Sequence, residues 1–361
     1  MSWTPPLRDE LRGVEPYGAP QLDVPVQLNT NENPYGPSAL VIADIAATVA
    51  QACVDLNRYP DRDFDELRDA LAAYLADESG VQLVRAQIWA ANGSNEVMLH
   101  LLQAFGGPGR TAMSFAPTYS MYPEYARDTH TTWVQGHRHE DFSFDFEHAA
   151  NLIAEHRPTV VLLPSPNNPT GTALPHDVIG RLAELVGDGV LVIDEAYAEF
   201  RRSGTPSALE LLGQYPNLVV TRTMSKAFAA AGLRLGYLGA DARICDALRV
   251  VRLPYHLSTT TQATALASLR HADELLAAVA SLSAERDDLV EWLRAAGFEV
   301  ADSDANFVMF GRFENRHAIW ERLLDHGVLI REVGPEGWLR VSVGTPDEMD
   351  AFKRALKEVT A

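Results

Sequence analysis

The sequence predicts an α/β protein, a mostly parallel central sheet flanked by helices, with a smaller α+β lobe at the carboxyl end. Three observations carry that prediction. Between Gln87 and Leu238, apolar runs of strand length alternate with amphipathic helical stretches. Several runs, such as Val160-Val161-Leu162-Leu163 and Val190-Leu191-Val192-Ile193, are continuous, as strands covered on both faces require. Beyond about Ser258 the rhythm changes to long helices and then to short strands between helices.

At 361 residues the chain is long enough for about two lobes. Its 30 basic and 49 acidic residues leave a net charge of −19. That balance argues against nucleic acid or an anionic membrane as the main partner, but a few arginines in a cleft still suffice for a small anionic ligand. Cys53 and Cys245 are far apart and imply no disulfide. The N-terminal MSWTPPLRDELRG has no apolar core of a leader, and no stretch reaches the length of a membrane span. A cytoplasmic protein is expected.

Taken in order, the Pro-, Asn- and Gly-rich segment to about Tyr35 reads as an extended arm, residues 1–37, joining the small lobe. Residues 38–257 form the expected large domain. Helices are predicted over Ser38–Ala52 and Phe64–Ala76, the latter from Leu67, Leu71 and Leu75 at four-residue spacing. The strands follow at Ile88–Ala91, Ala112–Phe115, Thr132–Gln135, Val160–Leu163, Val190–Ile193, Leu218–Thr221 and Leu235–Leu238. Helices at Asn95–Phe105, Tyr119–Arg127, Phe146–His156 and Asp177–Val186 lie between them, and repeated βα units imply right-handed parallel crossovers. The small domain, 258–361, begins with a helical region to Ala296 broken near His271. Strands Phe298–Ala301, Phe307–Phe310, Val328–Arg331 and Leu339–Val343 and helices Ala318–His326 and Asp347–Val359 complete it.

In an open α/β sheet ligands gather outside the carboxyl ends of strands, and four unusual clusters fall there. Lys226, in Thr221-Arg222-Thr223-Met224-Ser225-Lys226, sits among small and apolar residues. Desolvation lowers an amine pKa, and a neutral amine forms Schiff bases; a surface lysine is the plain alternative. Arg234, between Leu233 and Leu235, needs an anion, either a ligand phosphate or a structural carboxylate. Asp194 ends a deeply buried strand, so it pairs with a protonated ring nitrogen, caps a helix or meets an arginine. Ser165-Pro166-Asn167-Asn168-Pro169-Thr170-Gly171 is a turn whose amide side chains are able to donate to a phenolate. Asn92-Gly93-Ser94-Asn95 precedes a helix and offers an anion site or a Ser94 N-cap. Gly107-Pro108-Gly109-Arg110-Thr111-Ala112 fits a dinucleotide motif only in the wrong helix-to-strand order, and His137 and His139 read as a solvated strand end. No metal site is expected.

In this order S-P-N-N-P-T-G, D-E-A-Y, S-K-A-F and A-G-L-R-x-G resemble the class II, fold-type I pyridoxal-phosphate aminotransferases, and best the branch acting on histidinol phosphate. The resemblance spans the chain from Leu28-Asn29-Thr30-Asn31-Glu32-Asn33-Pro34 to Leu339-Arg340-Val341-Ser342-Val343-Gly344. It implies pyridoxal 5′-phosphate as cofactor and Lys226 as the Schiff-base lysine and proton carrier. Asp194 would face the ring nitrogen, Tyr197 and Asn168 the ring oxygen, and Tyr119 the ring face. Ser94, Asn95, Thr223, Ser225 and Arg234 would hold the phosphate, joined by Tyr59 from the neighbouring subunit of a homodimer. Arg340, with Tyr17, Arg331 and Asn168, would bind substrate. The implied reaction moves the amino group of L-histidinol phosphate to 2-oxoglutarate, giving imidazole-acetol phosphate and L-glutamate, a step of histidine biosynthesis. Aromatic-amino-acid aminotransferases share every cofactor residue and are the alternative.

Overall fold

The computed structural model describes residues 3–360. Its large sheet has seven strands. β1 (Val26–Gln27) belongs elsewhere, and the sheet begins with β2 (Ile88–Ala91), β3 (Thr111–Ala116), β4 (Thr132–His137) and β5 (Val160–Pro164). It continues with β6 (Val190–Asp194), β7 (Leu218–Thr223) and β8 (Gly236–Ala240), in the spatial order β2-β8-β7-β6-β5-β3-β4. Neighbours from β7 to β4 run parallel, whereas β8 is antiparallel to both β7 and β2. β5 and β6 are buried along their whole length, as their unbroken apolar runs demand.

Helices α1 (Ala39–Ala52), α2 (Asp65–Ser79), α3 (Ser94–Phe105), α4 (Tyr122–Asp128), α5 (Phe146–His156), α6 (His176–Val186) and α7 (Ala242–Val251) accompany this sheet. Ser38 starts α1 by accepting a hydrogen bond from Val41 N–H at 3.3 Å. The expected helix at Tyr119 begins three residues later, because Tyr119 and Ser120 stay outside it to line a cavity. α7 was not expected. Its Arg243, Asp246 and Arg249 dilute the apolar spacing, although Asp241 caps it through Arg243 N–H and Ile244, Cys245 and Leu248 bury one face.

The helical region after Ser258 is two helices, α8 (Thr259–Arg270) and α9 (Ala272–Ala295), divided at His271. β9 (Glu299–Val300), β10 (Phe307–Gly311) and β12 (Leu339–Ser342) form an antiparallel sheet ordered β12-β10-β9, with α10 (Arg316–Asp325) and α11 (Pro346–Thr360) against it. β1 pairs in parallel with β11 (Val328–Leu329), and Val26 and Leu28 share a core with Val308, Phe310, Val341 and Phe352. Cys53 is exposed, Cys245 is buried, and both are free thiols. Among the described residues no helix is long and apolar enough to cross a membrane.

Candidate active site

The carboxyl ends of β5, β6 and β7 open onto a cavity of about 260 Å³, closed on its far side by Arg331, Arg340 and the segment Asn29–Asn31. Lys226, Asp194, Tyr197, Asn168, Tyr119, Ser94, Asn95, Thr223, Ser225, Arg234, Tyr17, Arg331 and Arg340 all line it. Tyr59 does not. It lies on the surface, 80% exposed, with its ring stacked on Tyr255 at 4.5 Å.

Asp194 is placed by the last residue of β6 and is 6% exposed. Its oxygens accept from Tyr122 Oη at 3.0 Å and Thr221 Oγ1 at 2.9 Å. Burial pushes its pKa up and these two hydrogen bonds pull it down. No lysine or arginine pairs with it among the described residues, so the buried carboxylate lacks a cation. A protonated ring nitrogen supplies one.

Lys226 follows β7 and is half-buried, its Nζ donating to the carbonyl of Thr30 at 2.8 Å. Burial, then the nearby Arg340 guanidinium, lowers its pKa to about 8. Tyr197 Oη lies 3.0 Å from Asn31 Nδ2 and 3.3 Å from Asn168 Nδ2, and burial raises its pKa.

Beside them is an anion cup. Gly93 caps α3 with φ of +81°, so Ser94 is the first helical residue and not the N-cap that is one of the two readings of this turn from sequence. The first N–H groups of a helix have no intrahelical acceptor and point outward. Arg234 approaches so closely that a Cβ on Gly93 would lie 2.6 Å from its Nη2. Nη1 of Arg234 donates to Ser225 Oγ at 3.2 Å and the Ala231 carbonyl at 3.1 Å, and it has no carboxylate partner among the described residues. Thr223 Oγ1 accepts from Ser225 N–H at 3.1 Å, which fixes the turn.

Across the cavity Arg331 and Arg340 form a bridged antiparallel pair. Arg340 donates to Asn168 Oδ1 at 2.6 Å and the Asn29 carbonyl at 2.9 Å, while its Nε has no partner among the described residues. Burial lowers its pKa to about 10. Arg331 donates to the Gly18 carbonyl at 3.2 Å, with buried Nη1 unpartnered. Tyr17 Oη accepts from Ser120 Oγ at 3.2 Å, and Tyr119 Oη donates to Asn95 Oδ1 at 3.4 Å. In a chain of charge −19 the cavity thus gathers Lys226, Arg234, Arg331 and Arg340 around one carboxylate.

Sequence reasoning gave no role to Tyr122, Thr221, Ser120, Asn29, Thr30 or Asn31. Thr221 had a signal, since it ends a buried strand beside Asp194. Tyr122 had none, because only the packing of α4 brings it to the carboxylate.

An uncompensated buried acid, an amine of depressed basicity and an anion cup on one wall fit a phosphorylated pyridine aldehyde, and with the seven-stranded sheet they define a fold-type I pyridoxal-phosphate enzyme. The chain is matched over residues 24–356 by the family model for aminotransferase class I and II and belongs to that family. It is 62% identical over 355 residues to the histidinol-phosphate aminotransferase of Thermobifida fusca, covering 98% of this chain and 95% of that protein. It is 57% identical to the enzyme of the same name from Frankia casuarinae, covering 97% and 89%. The crystal structure of histidinol-phosphate aminotransferase from Sinorhizobium meliloti in complex with pyridoxal-5′-phosphate superimposes with a TM-score of 0.83 at 25% identity, covering 93% and 90%.

Proposed function

We propose that this aminotransferase converts L-histidinol phosphate and 2-oxoglutarate to imidazole-acetol phosphate and L-glutamate, in the cytoplasm, as a step of histidine biosynthesis. The observation that carries the reading is the Arg331–Arg340 pair, two guanidiniums without carboxylate partners among the described residues, lining the same cavity as Lys226. Such a pair suits a phosphate-bearing amine in one half-reaction and a dicarboxylate in the next. The names of the relatives from Thermobifida fusca and Frankia casuarinae support the same substrate.

In this reading the bound cofactor supplies an aldehyde carbon and an electron-accepting ring. Ser94, Asn95, Thr223, Ser225 and Arg234 hold its phosphate, Tyr119 covers the ring and Asp194 keeps a proton on the ring nitrogen. Tyr197 and Asn168 donate to the ring oxygen. Lys226 Nζ, neutral in part near pH 8, would take the proton from the substrate Cα and return it two atoms along, on the far side of the substrate nitrogen. Arg340, Arg331, Tyr17 and Asn168 orient the substrate. Tyr59 completes the phosphate site of a second subunit, and exposed Val54, Leu56, Val250 and Leu253 flank it and its partner Tyr255 in sequence, as a homodimer contact would require. Residues 38–257 act as the cofactor domain and 258–361 as the small domain, with 1–37 as an arm joined to the latter.

Single-turnover spectra test the substrate. Histidinol phosphate should discharge the cofactor's visible band far faster than phenylalanine at equal concentration. The reverse order would make the protein an aromatic-amino-acid aminotransferase.

A further inference from the structure

The segment Asn29–Asn33 crosses the mouth of the cavity and is tied to both sides. Toward the small lobe, Arg340 Nη2 donates to the Asn29 carbonyl and Asn306 Nδ2 donates to the Asn31 carbonyl at 3.0 Å. Toward the large sheet, Thr30 accepts from Lys226 and Asn33 Nδ2 donates to the Ala227 carbonyl at 3.1 Å. Asn31, 1% exposed and held at a φ of +56°, stands between. That backbone conformation favours asparagine over most side chains.

The hydrogen bonds around Asn31 fix the direction of one proton. Ser342 Oγ accepts the backbone N–H of Asn31 at 2.9 Å and gives its own proton to Asn31 Oδ1 at 2.8 Å. The Asn31 amide is therefore turned with Nδ2 toward Tyr197. On the other side Arg340 is able only to donate, so it faces Asn168 Oδ1 and turns Asn168 Nδ2 toward the same phenol. Two amide donors meet the Tyr197 oxygen. Its single proton points away from both, while the Phe307 ring packs edge-to-face against the phenol ring with centroids 5.0 Å apart. The direction left open is the cavity.

We propose that Asn31 is a positioning residue that commits the Tyr197 hydroxyl to donating into the cavity, toward the ring oxygen of the cofactor. The inference rests on the proposed placement of that oxygen beside Tyr197. Burial raises the pKa of the phenol, and the charged and titratable groups acting on it are Arg340 from β12, Asp194 from β6 and Tyr17 from the arm; Asp194 and Tyr17 raise it further, whereas Arg340 and the Asn31 bond act in the opposite direction, toward a better-donating hydroxyl.

The test is a pH titration of the visible absorption of the holoenzyme, which reads how strongly the ring oxygen is stabilised, combined with a double-mutant cycle. Tyr197→Phe should raise the midpoint. Asn31→Gly, which keeps the backbone conformation, should raise it by about 0.5 pH unit, the scale of one neutral hydrogen bond acting at one remove. In the Tyr197→Phe background Asn31→Gly should add nothing. An equal shift in both backgrounds, or none in either, overturns the role of Asn31 and leaves Tyr197 standing. No shift in Tyr197→Phe itself sinks the placement of the ring oxygen. If the glycine variant fails to hold cofactor, Asn31→Asp run through the same cycle decides, because the effect of its charge is measured in the phenylalanine background and subtracted.

Discussion

Gly236 is the position at which the fold most directly meets the phosphate cup. It begins β8 and is paired with Thr223 on one side and Ala91 on the other. A Cβ there would lie 2.2 Å from Ser94 N, 2.4 Å from Gly93 C and 2.6 Å from Ser94 Cα. All three are backbone atoms, so no rotamer relieves the overlap. Restoring a separation of 3.0 Å requires the start of α3 to retreat by about 0.8 Å, and that is the turn whose N–H groups face the anion. Overpacking of this kind costs about 1–3 kcal/mol. If the cost falls on the cup, Gly236→Ala weakens cofactor binding roughly 5- to 150-fold. Titration of cofactor-stripped protein with pyridoxal phosphate, followed by absorbance, measures the change, and thermal melting without cofactor reports what the fold itself loses. Affinity within about twofold of the parent would refute the argument, whatever the melting curve shows.

Three further outcomes are expected. In cofactor-free protein the labelling rate of Lys226 by an acylating reagent should rise with a midpoint near pH 8, since burial lowers its pKa to about 8; an ordinary lysine is only about 0.4% neutral at that pH, and a midpoint above 10 by mass spectrometry would contradict the site. Arg340→Gln should lower kcat/KM for both half-reactions by roughly 30- to 1000-fold, about 2–4 kcal/mol of lost anion binding, and an effect on only one amino donor would deny it the shared role. Arg222, fully buried, holds Glu195 at 2.8 Å, Glu78 at 3.1 Å and Glu199 at 3.3 Å. Arg222→Met should cost about 3–5 kcal/mol in denaturant unfolding. Burial already holds Glu199 above the usual carboxylate range. Without the cation the native carboxyls bind more protons than the unfolded ones, so the variant should lose further stability as pH rises above about 5; a flat profile would count against the network.

The parallel core of the large sheet was legible because burial on both faces writes itself as unbroken apolar runs, clearest in β5 and β6. The direction of β8 was not, since Gly236–Ala240 reads the same whether the strand runs with or against β7. The cavity-lining residues were legible where chemistry coincides with a strand end, as at Asp194 and Lys226. Tyr122 reaches Asp194 from within a helix, 72 positions away in the chain, and no local pattern announces that contact. Asn31 stood out as part of Asn29-Thr30-Asn31-Glu32-Asn33, yet its orientation depends on Ser342, 311 positions on. Spacing along a chain records periodicity well and long-range pairing poorly.

The crossing of Asn29–Asn33 sets an order of assembly. Strand-end groups around Asp194 and Lys226 come from one contiguous stretch and are able to form while synthesis continues, but the arm must wait for partners at Asn306, Arg340 and Ser342. Contacts of such sequence separation form late. A chain that has not yet supplied Arg340 and Ser342 therefore exposes a half-built pocket, and termination between Asn306 and Ser342 leaves Asn31 held by its carbonyl but without the hydroxyl that turns its amide.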